Sequence, residues 1–201
     1  DGTVWVGTDG DGLYHIDAQS GSVLRHYAAG HGGVPETVMA ITVDESGRLW
    51  IGSWQQGGGW LDRATGEFPR LQFTTSGGAV NVMGLASDGK GALWISTGGS
   101  GLMRYDVAAG KVEHHVVAAG ATPKTNTLPN AWPSQLTFSS DGRLLYIAMS
   151  VGLACYDTKR HSFVSQFRSN YVLAGKVVNT VIMDKRGTLW VGTDCGLMNC
   201  D

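Results

Sequence analysis

Residues 44–53 read Asp-Glu-Ser-Gly-Arg-Leu-Trp-Ile-Gly-Ser, a turn followed by a short apolar strand with a tryptophan at its second position. Copies of this strand recur along the chain. Their aromatic residues are Trp5, Trp50, Trp94, Tyr146 and Trp190, so the steps between them are 45, 44, 52 and 44 residues. A repeat of about 40 to 45 residues is typical of one four-stranded blade of a β-propeller. The sequence therefore predicts an all-β fold, a β-propeller of four-stranded antiparallel blades.

The other strands of each blade lie on either side of the tryptophan strand. If the strands are named A to D from the hub outward, an alternating apolar run such as 38–43 predicts strand A. A Gly-Leu pair such as Gly12-Leu13 opens strand C, and an aspartate five residues after that glycine begins the turn into strand D. Aspartate favours turns because its side chain can accept hydrogen bonds from the backbone of its own turn. A similar aspartate begins the turn before the tryptophan strand. The aspartates predicted to form turns of either kind are Asp17, Asp44, Asp62, Asp88, Asp106, Asp157, Asp184 and Asp201.

The strand count divides 1–201, a single propeller fragment, into three full blades and two partial ones. The full blades are 37–79, 80–132, which carries a long loop, and 133–175. The partial blades are 1–36, with strands B to D, and 176–201, with strands A to C. Because strands B and C occur at both ends, the expectation is an incomplete ring.

The composition makes several partners and classes improbable. The formal charge is -2 and only 16% of the residues are charged, so there is no basic stripe for nucleic acid. No apolar run reaches the 18 to 20 or so residues that a membrane helix needs, so direct membrane insertion is not expected. Three cysteines that match no paired spacing, Cys155, Cys195 and Cys200, are expected to be idle thiols.

The motif of 44–53, with Asp62, Gly66 and Phe68 after it, closely resembles the two-component regulator propeller repeat, as does 184–193. The resemblance covers nearly the whole chain. It implies the periplasmic sensor region of a hybrid two-component histidine kinase anchored in the inner membrane, in many relatives one that responds to oligosaccharides. The expected partners are then the remaining blades and sensor domains of the parent chain, and a second copy in a homodimer. Ser96, Ala148 and Met149 depart from the motif, which predicts less regular blades there.

The candidate ligand site lies in loops that do not repeat, because propeller loops converge at the channel mouth. The second B-to-C loop adds Trp54, Gln55 and Gln56, an aromatic ring and two amides suited to a sugar. The alternative is that Trp54 packs on the adjacent loop. In the insertion between the third and fourth copies, Asn130 and Trp132, with Asn126, either reach over the mouth or cover the next blade.

Other candidate residues carry weaker signals. His31 lies in a glycine-rich D-to-A loop and is a further candidate ligand contact, or simply a solvated loop residue. Asp9-Gly10-Asp11-Gly12 lacks the further oxygen ligands of a calcium loop, so no metal is expected. His114 and His115 are adjacent on a strand and point to opposite faces, so they cannot converge on one ligand.

No catalytic residue and no cofactor are predicted for this segment. The sequence contains no Gly-x-Ser-x-Gly elbow, no phosphate-binding glycine loop and no zinc histidine pair. Two alternatives to a sensor remain, a scaffold for protein partners and, less favoured, a propeller lyase with a histidine and a glutamate facing each other across the channel.

Overall fold

The computed structural model describes residues 2–71, 73, 80–116, 128, 132–164, 173 and 176–200, with the side chains of 114–116 left out. The chain divides into two compact units, Asp1–Leu85 and Ala86–Asp201. Five antiparallel sheets follow one another in chain order, each made of strands that are consecutive in sequence. This is the strand arrangement expected of propeller blades.

The first sheet has three strands, β1 (Thr3–Gly7), β2 (Leu13–Asp17) and β3 (Val23–Tyr27). The second has four, β4 (Val38–Val43), β5 (Leu49–Ser53), β6 (Gly58–Leu61) and β7 (Arg70–Leu71). A short 3-10 turn, His31–Gly33, lies between β3 and β4.

The remaining three sheets have four, four and three strands. The third consists of β8 (Asn81–Ser87), β9 (Ala92–Gly98), β10 (Gly101–Asp106) and β11 (Lys111–Val116). The fourth consists of β12 (Pro133–Phe138), β13 (Leu144–Met149), β14 (Gly152–Asp157) and β15 (Ser162–Phe163). The fifth consists of β16 (Val178–Met183), β17 (Leu189–Thr193) and β18 (Gly196–Cys200). Three full blades and two partial ones are confirmed, and the third and fourth sheets are complete despite their altered motifs.

The core of each unit consists of layers between successive sheets. In the first unit, Leu13 and Tyr27 of the first sheet pack with Val38, Leu49 and Ile51 of the second. In the second unit, one cluster holds the buried residues Trp94, Leu102, Leu136, Ile147 and Tyr156, and another holds Ala148, Leu153, Val178, Val181 and Val191. Apolar area is thus removed from water mainly between neighbouring sheets, as in repeat proteins generally.

The small residue two positions after the tryptophan lets the next sheet approach closely. A Cβ added to Gly7 would lie 2.4 Å from Cγ1 of Val38, and one added to Gly52 would lie 2.2 Å from Cγ1 of Val82. In the third copy Ser96 uses the same position to donate a hydrogen bond to the carbonyl of Ser134 in the following sheet. The motif therefore requires a small side chain at this position, and not glycine in particular.

The last residue of the motif closes the turn into strand C. The hydroxyls of Thr8, Ser53 and Thr97 donate to the carbonyls of Gly12, Gly57 and Gly101 at 2.9, 2.8 and 2.7 Å. Thr193 makes the corresponding bond to Gly196 at 2.9 Å. The hydroxyl residues of the repeat therefore satisfy a turn carbonyl.

The turn role predicted for the aspartates is confirmed by their hydrogen bonds. Asp44 accepts from the N–H groups of Ser46 and Arg48, and Asp184 accepts from those of Arg186 and Thr188. Asp17, Asp62, Asp88, Asp106 and Asp157 likewise accept backbone N–H bonds within their own turns, whereas Asp201 lies outside the described residues.

Two of these aspartates also bind the repeated tryptophan. The indole N–H of Trp50 donates to Oδ2 of Asp44 at 2.8 Å, and that of Trp190 donates to Oδ2 of Asp184 at 3.0 Å. Burial favours the neutral acid of Asp44, but hydrogen bonds from Ser46, Trp50 and Arg48 outweigh it and hold its pKa below the usual value. Trp50 and Trp94 are buried, whereas Trp5, Tyr146 and Trp190 are half-buried.

An ion pair between a partly exposed arginine and a buried aspartate supports the fourth sheet. Arg143 donates from Nε and Nη2 to Oδ2 of Asp157, at 3.1 and 2.6 Å. Asp157 is only 3% exposed and also accepts from the N–H groups of Lys159 and Arg160. The Arg143 guanidinium, aided by these N–H groups, lowers the Asp157 pKa to about 2 against the cost of burial.

Asp157 should therefore make the chain sensitive to acid. Its folded-state pKa of about 2 lies below the unfolded value of about 3.9, so its stabilising contribution is complete above about pH 5 and is lost as the pH falls toward 2. We expect urea midpoints measured between pH 5 and pH 2 to fall less steeply in Asp157→Asn than in the wild type. Asp194→Asn, an exposed site outside this pair, is the control, and equal slopes in all three proteins would contradict the assignment.

Candidate functional site

The loop between β5 and β6, residues 54–57, is a tight and internally bonded turn. The N–H and the hydroxyl of Ser53 both donate to the carbonyl of Gly57 at 2.8 Å. Gln55 has a φ of 64°, unusual for a residue with a side chain, and Gly57 has a φ of 72°. The loop thus holds Trp54 and Gln55 at its tip in one conformation.

One residue of the loop's own sheet and one of the following sheet hold this loop in place. The N–H of Trp54 donates to the carbonyl of Thr37 at 3.4 Å, and the N–H of Gln55 donates to Oδ1 of Asn81 at 2.8 Å. The hydroxyl of Thr37 in turn donates to Oδ1 of Asp9 at 2.9 Å. We call the five residues of this hydrogen-bonded row the loop edge: Asp9, Thr37, Trp54, Gln55 and Asn81.

The loop edge combines an aromatic face with polar groups at the surface. Trp54 is 36% exposed, and Asp9 and Gln55 are exposed on either side of it in the row. Gln56 differs, because its Oε1 atom is buried and has no hydrogen-bond partner among the described residues. The edge can offer an indole ring to the apolar face of a ligand and a carboxylate and an amide to its hydroxyl groups.

The other predicted site residues are not part of the loop edge. Trp132, 52% exposed, immediately precedes β12 in the second unit, and Asn130 and Asn126 lie outside the described residues. Leu128 of the same insertion is fully buried in a core cluster of that unit, so part of the insertion does cover the sheets. His31 lies in the exposed 3-10 turn of the first unit and lines a different cavity.

The aspartates of residues 9–12 have partners within the protein. Asp9 accepts from Thr37, and Oδ2 of Asp11 accepts a short hydrogen bond from the hydroxyl of Tyr14. Among the described residues no group of three or more His, Cys, Asp and Glu side chains is placed to hold a metal ion. The chemistry of the loop edge is therefore that of hydrogen bonding and stacking.

Thr37 and Asn81 were not predicted from the sequence. Each lies at or near the start of a strand A, where nothing in the local pattern distinguishes it from its neighbours. They take part only because successive sheets bring strand A beside the B-to-C loop. The one signal in the sequence for the loop edge was the additional tryptophan and amides of the B-to-C loop, Trp54, Gln55 and Gln56.

Two stretches of the chain, residues 32–55 and 172–195, match the family model of the two component regulator propeller. These two stretches are similar to the two-component regulator propeller repeat. The first matched stretch contains three of the five loop-edge residues, Thr37, Trp54 and Gln55. A comparison with curated proteins gives no match.

Solved structures with the same fold include extracellular domains from B. thetaiotaomicron. The extracellular domain of BT4673, classed as a hybrid two component system, has a TM-score of 0.80 and 21% identity over 100% of this chain. A second structure of that domain, classed as a one component system, has a TM-score of 0.78 and 20% identity over 100% of this chain. The extracellular domain of the hybrid two component system BT3049 has a TM-score of 0.76 and 20% identity, also over 100% of this chain.

This chain spans about a quarter of those solved chains, 28%, 28% and 26% of their length respectively. At this identity the likeness concerns the fold alone, a β-propeller. Among the described residues, no helix has the length and apolar character needed to cross a membrane.

Proposed function

We propose that this chain is a ligand-sensing segment of the extracytoplasmic, periplasmic region of a bacterial hybrid two-component sensor histidine kinase, and that its loop edge binds an oligosaccharide. The regulator propeller repeats and the likeness to extracellular domains of two-component systems support the sensor role. The segment itself performs no catalysis in this proposal, and the kinase lies elsewhere in an inner-membrane parent chain.

The exposed Trp54 beside Asp9 and Gln55 is the observation that supports a sugar ligand. A pyranose has an apolar face of C–H groups and a rim of hydroxyls, so it binds well to an aromatic ring flanked by hydrogen-bonding side chains. The bonds of Trp54 and Gln55 to Thr37 and Asn81 fix the loop before the ligand arrives. A preformed loop lowers the entropy cost of binding.

The loop edge also suggests how binding is transmitted. Its hydrogen bonds run from Asp9 of the first sheet region through Thr37 and Trp54 to Asn81 at the start of β8. A ligand held there interacts with residues of successive repeats at once. In a homodimeric receptor it would shift the equilibrium between dimer arrangements by its difference in affinity for them.

The test is to titrate a panel of oligosaccharides into the full sensor region and its variants. Trp54→Ala should weaken binding of a ligand found in the panel about ten-fold or more, because a buried tryptophan contact is commonly worth above about 1.4 kcal/mol. Trp54→Phe should retain part of the affinity, since an aromatic ring remains.

Trp132→Ala separates the two candidate positions in the same titration. A loss of affinity in Trp132→Ala with none in Trp54→Ala would move the site to the insertion and contradict the loop edge. Affinity unchanged in both variants would contradict a sugar site on this segment.

A further inference from the structure

A cavity lies on the first unit, beside the loop that contains His31 and away from the loop edge. It has a volume of about 330 Å³ and lies between the end of β3 with the following 3-10 turn and the turn that joins β6 to β7. Its lining includes Arg25, His26, His31, Thr65 and Glu67. This volume is at the lower end of the range, about 300 to 1,000 Å³, in which small-molecule sites fall.

Arg25 lines this cavity without a counter-ion. Its guanidinium carbon lies 4.6 Å from the centre of the Tyr27 ring, and Nη1 donates to the carbonyl of Arg63 at 3.0 Å. Within the described part of the chain no carboxylate pairs with Arg25. The stacking on Tyr27 and the bond to Arg63 position the guanidinium, while its remaining N–H donors stay available to a ligand.

Glu67 presents the opposite charge on another wall of the same cavity. Its side chain is exposed, and neither Arg25 nor any other described cation forms an ion pair with it. His26 is held by Asp11, whose carbonyl lies 2.9 Å from its Nε2 atom, and the exposed His31 ring adds a further hydrogen-bonding group. Among the described residues, the guanidinium of Arg25 and the carboxylate of Glu67 thus form no ion pair, either with each other or with another group.

From this arrangement we propose that the cavity binds a small molecule carrying both an oxyanion and hydroxyl groups, of which a sugar acid is the simplest form. The planar guanidinium of Arg25 matches a carboxylate in a two-pronged geometry, and an ionised Glu67 can only accept, so it pairs with ligand hydroxyls. The site shares no residue with the loop edge, so it does not depend on the proposed function.

Calorimetric titration of the full sensor region with glucuronate, glucose and inorganic phosphate tests the proposal. Glucose lacks the carboxylate and phosphate lacks the sugar hydroxyls. Each should therefore bind at least about ten-fold more weakly than glucuronate, because each loses hydrogen bonds to a charged side chain. Glucose binding as tightly as glucuronate would overturn the role of Arg25. Phosphate binding as tightly would leave a simple anion site and overturn the role of Glu67.

Variants of the two charged residues assign the contacts. Arg25→Gln should weaken the binding of glucuronate about ten-fold. Arg25→Lys keeps the positive charge but not the planar guanidinium, so it should weaken that binding less. Glu67→Gln should weaken the binding of glucuronate several-fold and leave the binding of phosphate no weaker. Arg186→Gln removes an equal charge from an exposed turn of the fifth sheet and should change nothing.

Thermal unfolding of each variant separates loss of a contact from loss of the fold. Arg25→Lys keeps the proposal testable if Arg25→Gln does not fold. Unchanged glucuronate affinity in folded Arg25→Lys and Glu67→Gln would overturn the site, whatever the outcome of the oligosaccharide titration at Trp54.

Discussion

Trp50→Ala should lower the free energy of unfolding of the chain by about 3–5 kcal/mol, the usual cost of removing a large aromatic side chain from a core. Trp50 is 1% exposed, and its indole N–H donates to the carboxylate of Asp44, which is itself buried. The variant leaves a cavity in the core and deprives a buried carboxylate of one donor, and both effects are unfavourable. Urea denaturation followed by fluorescence and circular dichroism measures the loss.

Trp190→Ala is the matched control for this prediction. Trp190 occupies the same place in its motif and makes the same bond to an aspartate, but its side chain is half-buried. Its replacement should therefore cost clearly less than that of Trp50. Equal losses would mean that the indole to aspartate bond, and not burial, sets the energetic importance of the repeated tryptophan.

Gly52→Ala should destabilise the chain by about 1–3 kcal/mol, the range found when atoms are forced into a filled core. The new methyl group would meet Cγ1 of Val82 at 2.2 Å, and Val82 is fully buried, so it has little freedom to move away. Valine has a stiff χ1 angle, which limits relief by rotation. The measurement is again the free energy of unfolding in urea.

A double variant shows whether the contact with Val82 is the cause. Val82→Ala alone should destabilise by leaving a cavity, but in Gly52→Ala/Val82→Ala the new methyl group occupies part of the space that the valine vacates. The two losses should therefore be less than additive, since contacting residues couple. Strict additivity would locate the strain of Gly52→Ala elsewhere.

The blade architecture was predictable because each blade is a local structure. A blade consists of consecutive strands joined by short turns, so its aspartates, glycines and tryptophan act on residues close to them in sequence. The bonds from Asp44 to Ser46, Arg48 and Trp50 all span six residues or fewer. Such contacts leave a pattern that repeats with the blade.

The candidate site was predictable only in part, because its geometry joins residues of different repeats. Trp54 and Gln55 stand out by interrupting the repeat, but Asp9 and Asn81 lie 45 and 26 residues away from them, respectively, and no local pattern selects them. The cavity at Arg25 and Glu67 went unnoticed for the same reason. Its two charged walls belong to different sheets, and each residue alone resembles an ordinary surface side chain.

By itself, then, the sequence determined the strands, the turns and the place of the repeated tryptophan in each blade, because these follow from side-chain alternation and from turn chemistry within a few residues. The tertiary structure decided which copies of the aromatic residue are buried, why the residue two positions after it must be small, and which polar groups meet at the loop edge. Those outcomes depend on how closely one sheet approaches the next. That distance is set by residues about 30 positions apart in the chain, such as Gly52 with Val82 and Gly7 with Val38.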